Sequence, residues 1–352
     1  MKIVALDLGK FNSMACIFQT EDGVHEFRTV KSDPAALHDL LLSSGAQRVV
    51  IEVGATCGWV KDLSEAMGCQ VEVANVNAES WQWSRRKRKT DRDDALKLAV
   101  LSARGELPQV HVPSREVRQW RSLIGYRQDL VARRTAIKNR IRSLLTQEAQ
   151  LHAGGKKGWT EKSLERLKAE ARILRECPRE ELWRGILQME LGQLSAMEEL
   201  IEVVETKLQG LAQAHPQVQL HQSIPGVGPR LAEIVVAVID DPKRFKNRKQ
   251  VGCYAGLTPR QFESGTMVRQ GRISCQGNRL LRALLVEVSW LMRRWNERFW
   301  KIFETVSRGI KKRRKAAIVA VARRLLVTCW AMLRDNQPWR PAAGRAAPAQ
   351  AA

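Results

Sequence analysis

The chain has 352 residues and carries 59 lysines and arginines against 37 aspartates and glutamates, a formal charge of +22. A hydrophobic fraction of 44% is enough to build packed cores, which excludes a disordered basic tail, and the length suits two or three domains. So large a positive balance points to a polyanionic partner, nucleic acid first. A basic membrane-surface protein is the weaker reading, because no segment offers a long uncharged apolar run; the best, residues 318–333, is interrupted by Arg323 and Arg324.

The opening MKIVALDLGK is broken at once by Asp7 and does not read as a signal peptide. Seven scattered cysteines, an odd number without a C-x-x-C pair, argue for a reducing compartment and against a disulfide framework or structural zinc.

In chain order, Lys2–Leu8, Ser13–Phe18 and His25–Val30 read as a β-meander. A helix from Pro34 to Leu42, a strand Arg48–Val53, a helix around Trp59–Met67 and a strand Val71–Val76 follow. Strand–helix–strand spacing of this kind predicts a mixed α/β sheet over residues 1–112. From Pro113 to 213 the pattern becomes long amphipathic helices. Leu123, Leu130, Ile137, Ile141 and Leu144 form one series; Leu187, Leu191, Leu194, Met197, Ile201, Val204, Leu208 and Leu211 form a second. Such series fit a helical hairpin or coiled coil, and periodicity does not choose between a bundle within one chain and an oligomerisation arm. A mostly helical region, 214–336, opens with IPGVGPRLA, a small-residue hairpin pattern suited to offering backbone N–H groups to phosphate. Residues 337–352, rich in Ala and Pro, read as a frayed tail.

Asp7 and Glu52 each place a carboxylate late in a strand that otherwise wants to be buried, which requires a partner, a proton or a cation. In KTDRDDA, Asp91 and Asp94 stand three apart on one helix face, and Asp93 points elsewhere, into solvent. Singly, such acids are turn or helix-start residues; together on α/β elements they make an oxygen-ligand set for Mg²⁺. Two such ions can promote attack on a phosphodiester and stabilise the departing oxygen. Directly upstream, Arg85, Arg86, Lys87, Arg88 and Lys89 follow Trp81 and Trp83, pairing phosphate-neutralising cations with base-stacking rings.

Further on, GLTPRQFESG leads into RQGRISCQGNR. Here glycines permit sharp turns, and Arg260, Arg269, Arg272, Arg279 and Arg282 can clamp phosphates. Ser264 is the serine most closely framed by this pattern, and it has no nearby histidine to serve as its base. Lys311, Lys312, Arg313 and Arg314 form a last basic cluster before an apolar helix.

Taken in order, LDLGK, VIEV, KTDRDDA, IPGVGP, GLTPRQFESG and GRISCQGNRLLR resemble the DEDD-type insertion-sequence transposases of family 110, the bridge-RNA-guided recombinases. The resemblance covers residues 1–335. It implies a RuvC-like, RNase H-fold N-terminal domain, a helical coiled-coil arm and a mostly helical C-terminal transposase domain. It also implies an acidic tetrad at Asp7, Glu52, Asp91 and Asp94 holding Mg²⁺, and a catalytic serine at Ser264, with Ser274 in reserve. Cys275 departs from the pattern, where a basic residue is expected.

The activity implied is serine-mediated cutting and rejoining of donor and target DNA, guided by a structured noncoding RNA. The implied protein is a dimer or tetramer in the bacterial cytoplasm, with a composite active site. Two other readings of the residues stand beside this one: a RuvC-like junction resolvase that uses metal-activated water, and a non-catalytic nucleic-acid-binding protein.

Overall fold

The computed structural model describes residues 1–75, 90–150, 152–264 and 267–340. The chain divides into two compact units, Met1–Arg118 and Gln119–Ala352.

In the first unit, β1 (Lys2–Asp7), β2 (Asn12–Gln19) and β3 (His25–Lys31) form an antiparallel meander. After α1 (Pro34–Ser44), β4 (Arg48–Glu52) pairs parallel with β1. After α2 (Cys57–Ala66), β5 (Gln70–Ala74) pairs parallel with β4. The sheet order is β3-β2-β1-β4-β5, so β1 is central. Its KIVALD run is apolar on both faces because both are covered, as a central strand requires. Asp33 caps α1 by accepting from Ala36 N–H, and Gly45 ends it in the left-handed region at φ 63. One sheet face packs Val4, Leu6, Val49 and Ile51 on α1 and α2. The other packs Ile3, Ala5, Cys16 and Val50 on Ala95, Leu98 and Ala99 of α3 (Asp91–Ala103).

In the second unit, α4 (Arg115–Gln147) and α6 (Leu182–Ala214), with the short α5 (Glu161–Glu170) between them, lie antiparallel. Ion pairs Arg127–Glu205, Lys138–Glu198 and Arg140–Glu190 run along the pair. The two apolar series therefore meet within one chain. Their deepest stripe drifts by one residue at the ends: Ile124 and Leu145 are buried while Leu123 and Leu144 are partly covered, and Ala212 is buried while Leu211 is 37% exposed. The far half of the pair has its own core around Ile137, Ile141, Leu187 and Leu191. The near half shares a core with the C-terminal helices. These are α7 (Pro216–Gln222), α8 (Pro229–Ile239), α9 (Arg248–Tyr254), α10 (Arg279–Trp295), α11 (Glu297–Ser307) and α12 (Arg314–Asp335). Between α9 and α10 a separate two-stranded ribbon projects, β6 (Pro259–Ser264) with β7 (Met267–Ile273).

Helix α12 and the turn before it are the one stretch, among the described residues, long and apolar enough to cross a membrane. Of that window 56% is buried against the protein's own core. At its centre His221, fully buried, faces the carbonyls of Gln217 (2.6 Å) and Cys329 (3.0 Å), tying α7 to α12.

Candidate active site

Strand parity and the helix period assemble the acids. Alternate residues of a strand share a face, so Asp7 follows Ile3 and Ala5 toward α3, and Glu52 follows Val50 to the same side. Leu6 pairs with Ile51, which puts Asp7 and Glu52 at the C-terminal ends of adjacent parallel strands, about 4.8 Å apart by strand spacing. Both residues are half-buried, and Glu52 Oε1 is shielded from solvent.

The direction of α3 follows from a lock at its far end. Arg48, first residue of β4, donates from Nη1 to Ser102 O (3.2 Å) and Oγ (3.3 Å), and from Nε to Gln70 Oε1 (3.0 Å). The Ser102 hydroxyl donates to Glu72 Oε2 at 2.6 Å. Thus the C-terminal end of α3 lies at the start of β4, and its first turn lies toward Glu52. From Ser102 back to Asp94 is about 12 Å of helix, and from Arg48 to Glu52 about 13 Å of strand, so Asp94 comes level with Glu52. Asp94 is 4% exposed, on the same helix side as Leu98. Asp91 lies roughly 4.5 Å further along the axis and is exposed.

Asp93, partly exposed, also takes part in the helix cap. Thr90 caps α3, its Oγ1 accepting from Asp93 N–H (3.2 Å) and donating to Asp93 Oδ2 (2.8 Å). This is a threonine N-cap, a residue type the sequence shows at the start of the helix. The lock of Arg48, Glu72 and Ser102 carried no such signal, since it joins a strand start to a helix end by tertiary contact.

In the second unit, Ser264 ends β6 and pairs across the ribbon with Met267; its backbone alone is described. Ser274 lies at the ribbon's root, its N–H donating to Thr258 O at 2.8 Å. Two glycines make that root. Gly256 (φ +67) and Gly277 (φ +75) are left-handed, and a Cβ on either would strike backbone, of Gln276 and Tyr254 respectively. The expected phosphate clamp at Arg282 is corrected: its Nη1 reaches the carbonyls of Ala255 (3.1 Å), Gln276 (2.7 Å) and Gly277 (3.4 Å) and holds the root together. Arg260, Arg269, Arg272 and Arg279 are exposed, as are Lys311, Lys312, Arg313 and Arg314. Trp81, Trp83, Arg85, Arg86, Lys87, Arg88 and Lys89 lie outside the described residues.

Comparison with known proteins decides the family. A model described as a transposase of the DEDD, insertion-sequence-110 type matches residues 4–149, and one described as "Transposase IS116/IS110/IS902 family" matches residues 218–304. The chain belongs to this transposase family. The chain is similar to the transposase for insertion sequence element IS1111A of Coxiella burnetii, 29% identical across 97% of this chain and 92% of that one. It is also similar to the pilin gene-inverting protein of Moraxella lacunata, 34% identical across 33% of this chain and 37% of that one. Among solved structures, RuvC of T. thermophilus in complex with a Holliday junction substrate matches over 31% of this chain and 99% of its own. That match has 13% identity and a TM-score of 0.24. The transposase is accordingly an enzyme that cuts and rejoins DNA.

Its carboxylates fit a hard divalent cation in chemistry. Among the described residues, however, no three His, Cys, Asp or Glu side chains stand close enough together to cage an ion. A divalent cation held here would take one or two of these carboxylates and complete its shell with water and substrate phosphate.

Proposed function

We propose that the transposase moves its insertion sequence by transesterification. In this reading Ser264 is the nucleophile, Mg²⁺ is held by Asp7, Glu52, Asp94 and Asp91, and a structured noncoding RNA selects donor and target DNA. The observation that carries the metal reading is the placement of Asp7, Glu52 and Asp94 on one side of the sheet at one height, although they are 42 or more residues apart in sequence. The sheet order, with a central β1 between an antiparallel meander and two parallel strands, supports a RuvC-like domain. The +22 charge supports a nucleic-acid partner. A homo-oligomer is supported by a second apolar row on α6. Leu182, Ile186, Met189, Leu200 and Val203 recur at helical spacing and are all more than 40% exposed.

When bound, the cation lowers the pKa of an oxygen it touches and offsets charge on the phosphate. The chain supplies the rest. The Ser264 oxygen attacks phosphorus and loses its proton; the bond from phosphorus to one sugar oxygen breaks; that oxygen departs and takes up a proton as a hydroxyl. One phosphodiester is exchanged for another, so the reverse reaction with a different DNA hydroxyl rejoins strands without an external energy source.

The test is a denaturing gel of protein and labelled DNA. The native chain is expected to form an adduct resistant to denaturant, and Ser264→Ala to form none while still binding DNA and RNA. Cleavage without any adduct, undiminished in Ser264→Ala, would transfer the reaction to metal-activated water and sink the serine reading.

A further inference from the structure

We propose that the face of the β6–β7 ribbon carrying Phe262 and Met267 is a wedge that enters the base stack of the DNA beside the phosphodiester to be cut. The pairings Phe262 with Arg269 and Ser264 with Met267, together with strand alternation, put these four positions on one face. Gly271 belongs to that face too: a Cβ there would stand 3.1 Å from Phe262 Cε2 and 3.7 Å from Arg260 Cβ. The ring therefore lies across the glycine, on a bed that any side chain would disturb. Phe262 is 58% exposed and Met267 66% exposed, large apolar groups left in water on a ribbon that packs chiefly on itself.

Charge says what covers them. Arg260, Arg269 and the two apolar groups share this face. The ribbon's carboxylate, Glu263, stands on the other face, where its Oε1 accepts from Gln261 Nε2. An apolar tip flanked by guanidinium groups, with the acid turned away, is complementary to a base step between phosphates. Apolar wedges of this kind unstack and kink duplexes. Arginine at the flanks supplies phosphate contacts that position the wedge without reading sequence. A second copy of this chain, which itself carries a charge of +22, is a poorer match for the paired arginines.

The inference takes DNA as substrate from the family and needs Ser264 only as a landmark, so it is measured in the Ser264→Ala protein, where no cutting intervenes. Duplexes spanning the joined ends of the insertion sequence, with 2-aminopurine at successive steps, report unstacking as a rise in emission. The transcript of the element's noncoding flank is supplied in parallel samples. One step is expected to brighten on binding. Phe262→Ala is expected to abolish the rise while weakening binding by about 5- to 150-fold, and Phe262→Trp to retain it. A rise that persists in Phe262→Ala, binding without any bright step, or loss of all binding in Phe262→Ala would each overturn the wedge. So would a change of oligomeric state in Phe262→Ala without DNA, seen by light scattering, because it would give the patch to a second copy.

Discussion

Replacing Arg48 by methionine tests whether the lock at the foot of the sheet sets the height of Asp94. Methionine keeps most of the apolar stem and removes the guanidinium, and with it the hydrogen bonds to Gln70, Ser102 O and Ser102 Oγ. Glu72, whose Oε1 lies 3.7 Å from Arg48 Nη1, is left with the Ser102 hydroxyl and no nearby guanidinium. The Arg48 and Glu72 side chains are 17% and 12% exposed, so solvent screens little of the loss. Breaking a largely buried charged pair by removing one partner costs about 3–5 kcal/mol, the lost hydrogen bonds and the abandoned carboxylate together, so unfolding should become easier by about that much. Chemical denaturation measures this directly. Adding Glu72→Gln removes the abandoned charge while keeping an acceptor for Ser102, and should recover about 1–2 kcal/mol. Strand cleavage, assayed well below the unfolding transition, should fall at least tenfold in Arg48→Met. A slide of one residue moves Asp94 by about 1.5 Å, and misplacement on that scale is costly in catalysis. Lost stability with undiminished cleavage would refute the link between lock and site, and unchanged stability would refute the lock itself.

Other perturbations probe the second unit. Ile141→Ala, at a fully buried seam position packed with Leu187 and Leu191, should destabilise by about 2–5 kcal/mol in the same denaturation assay. Gly277→Ala sets a Cβ against Tyr254 carbonyl at φ +75 and should cost at least about 2 kcal/mol, with cleavage lost as the root of the ribbon distorts. Burial holds the His221 imidazole below its ordinary range, and the two carbonyls it faces offset this only in part. The unfolded chain then takes up the proton first, so stability should decline as pH falls below about 6.5. His152 and His215, also lowered by burial, act in the same sense. Thermal melts across that range should show a shallower decline in His221→Gln.

The meander, the parallel strands and the long helices were legible because strand alternation and helical recurrence are local signals. Asp7 and Glu52 were legible as charges in strands where burial was expected, and Asp94 as one of an acidic pair on a helix face. The height of α3 was not, because it depends on Arg48 meeting Ser102, residues 54 apart with ordinary surroundings in sequence. Arg282 was misjudged for a related reason. Composition marks a guanidinium among glycines as free for phosphate, whereas the left-handed turns at 256 and 277 point carbonyls inward that need a donor. The periodicity of α4 and α6 told of a seam but not its owner. The ion pairs from Arg127 to Glu205 and from Arg140 to Glu190 assign it to one chain, and leave a second row on α6 that a one-stripe reading passes over.

The ribbon joins two mechanical regimes within fifteen residues. At its foot, three carbonyls gripped by one guanidinium and two glycines with no tolerance for a side chain make a stiff mount. Beyond it, among the described residues, the two strands have no third strand or covering helix of the kind that usually makes such a hairpin self-sufficient in water. The exposed side chains of β6 and β7, Phe262 and Met267 among them, can therefore be exchanged without disturbing that grip.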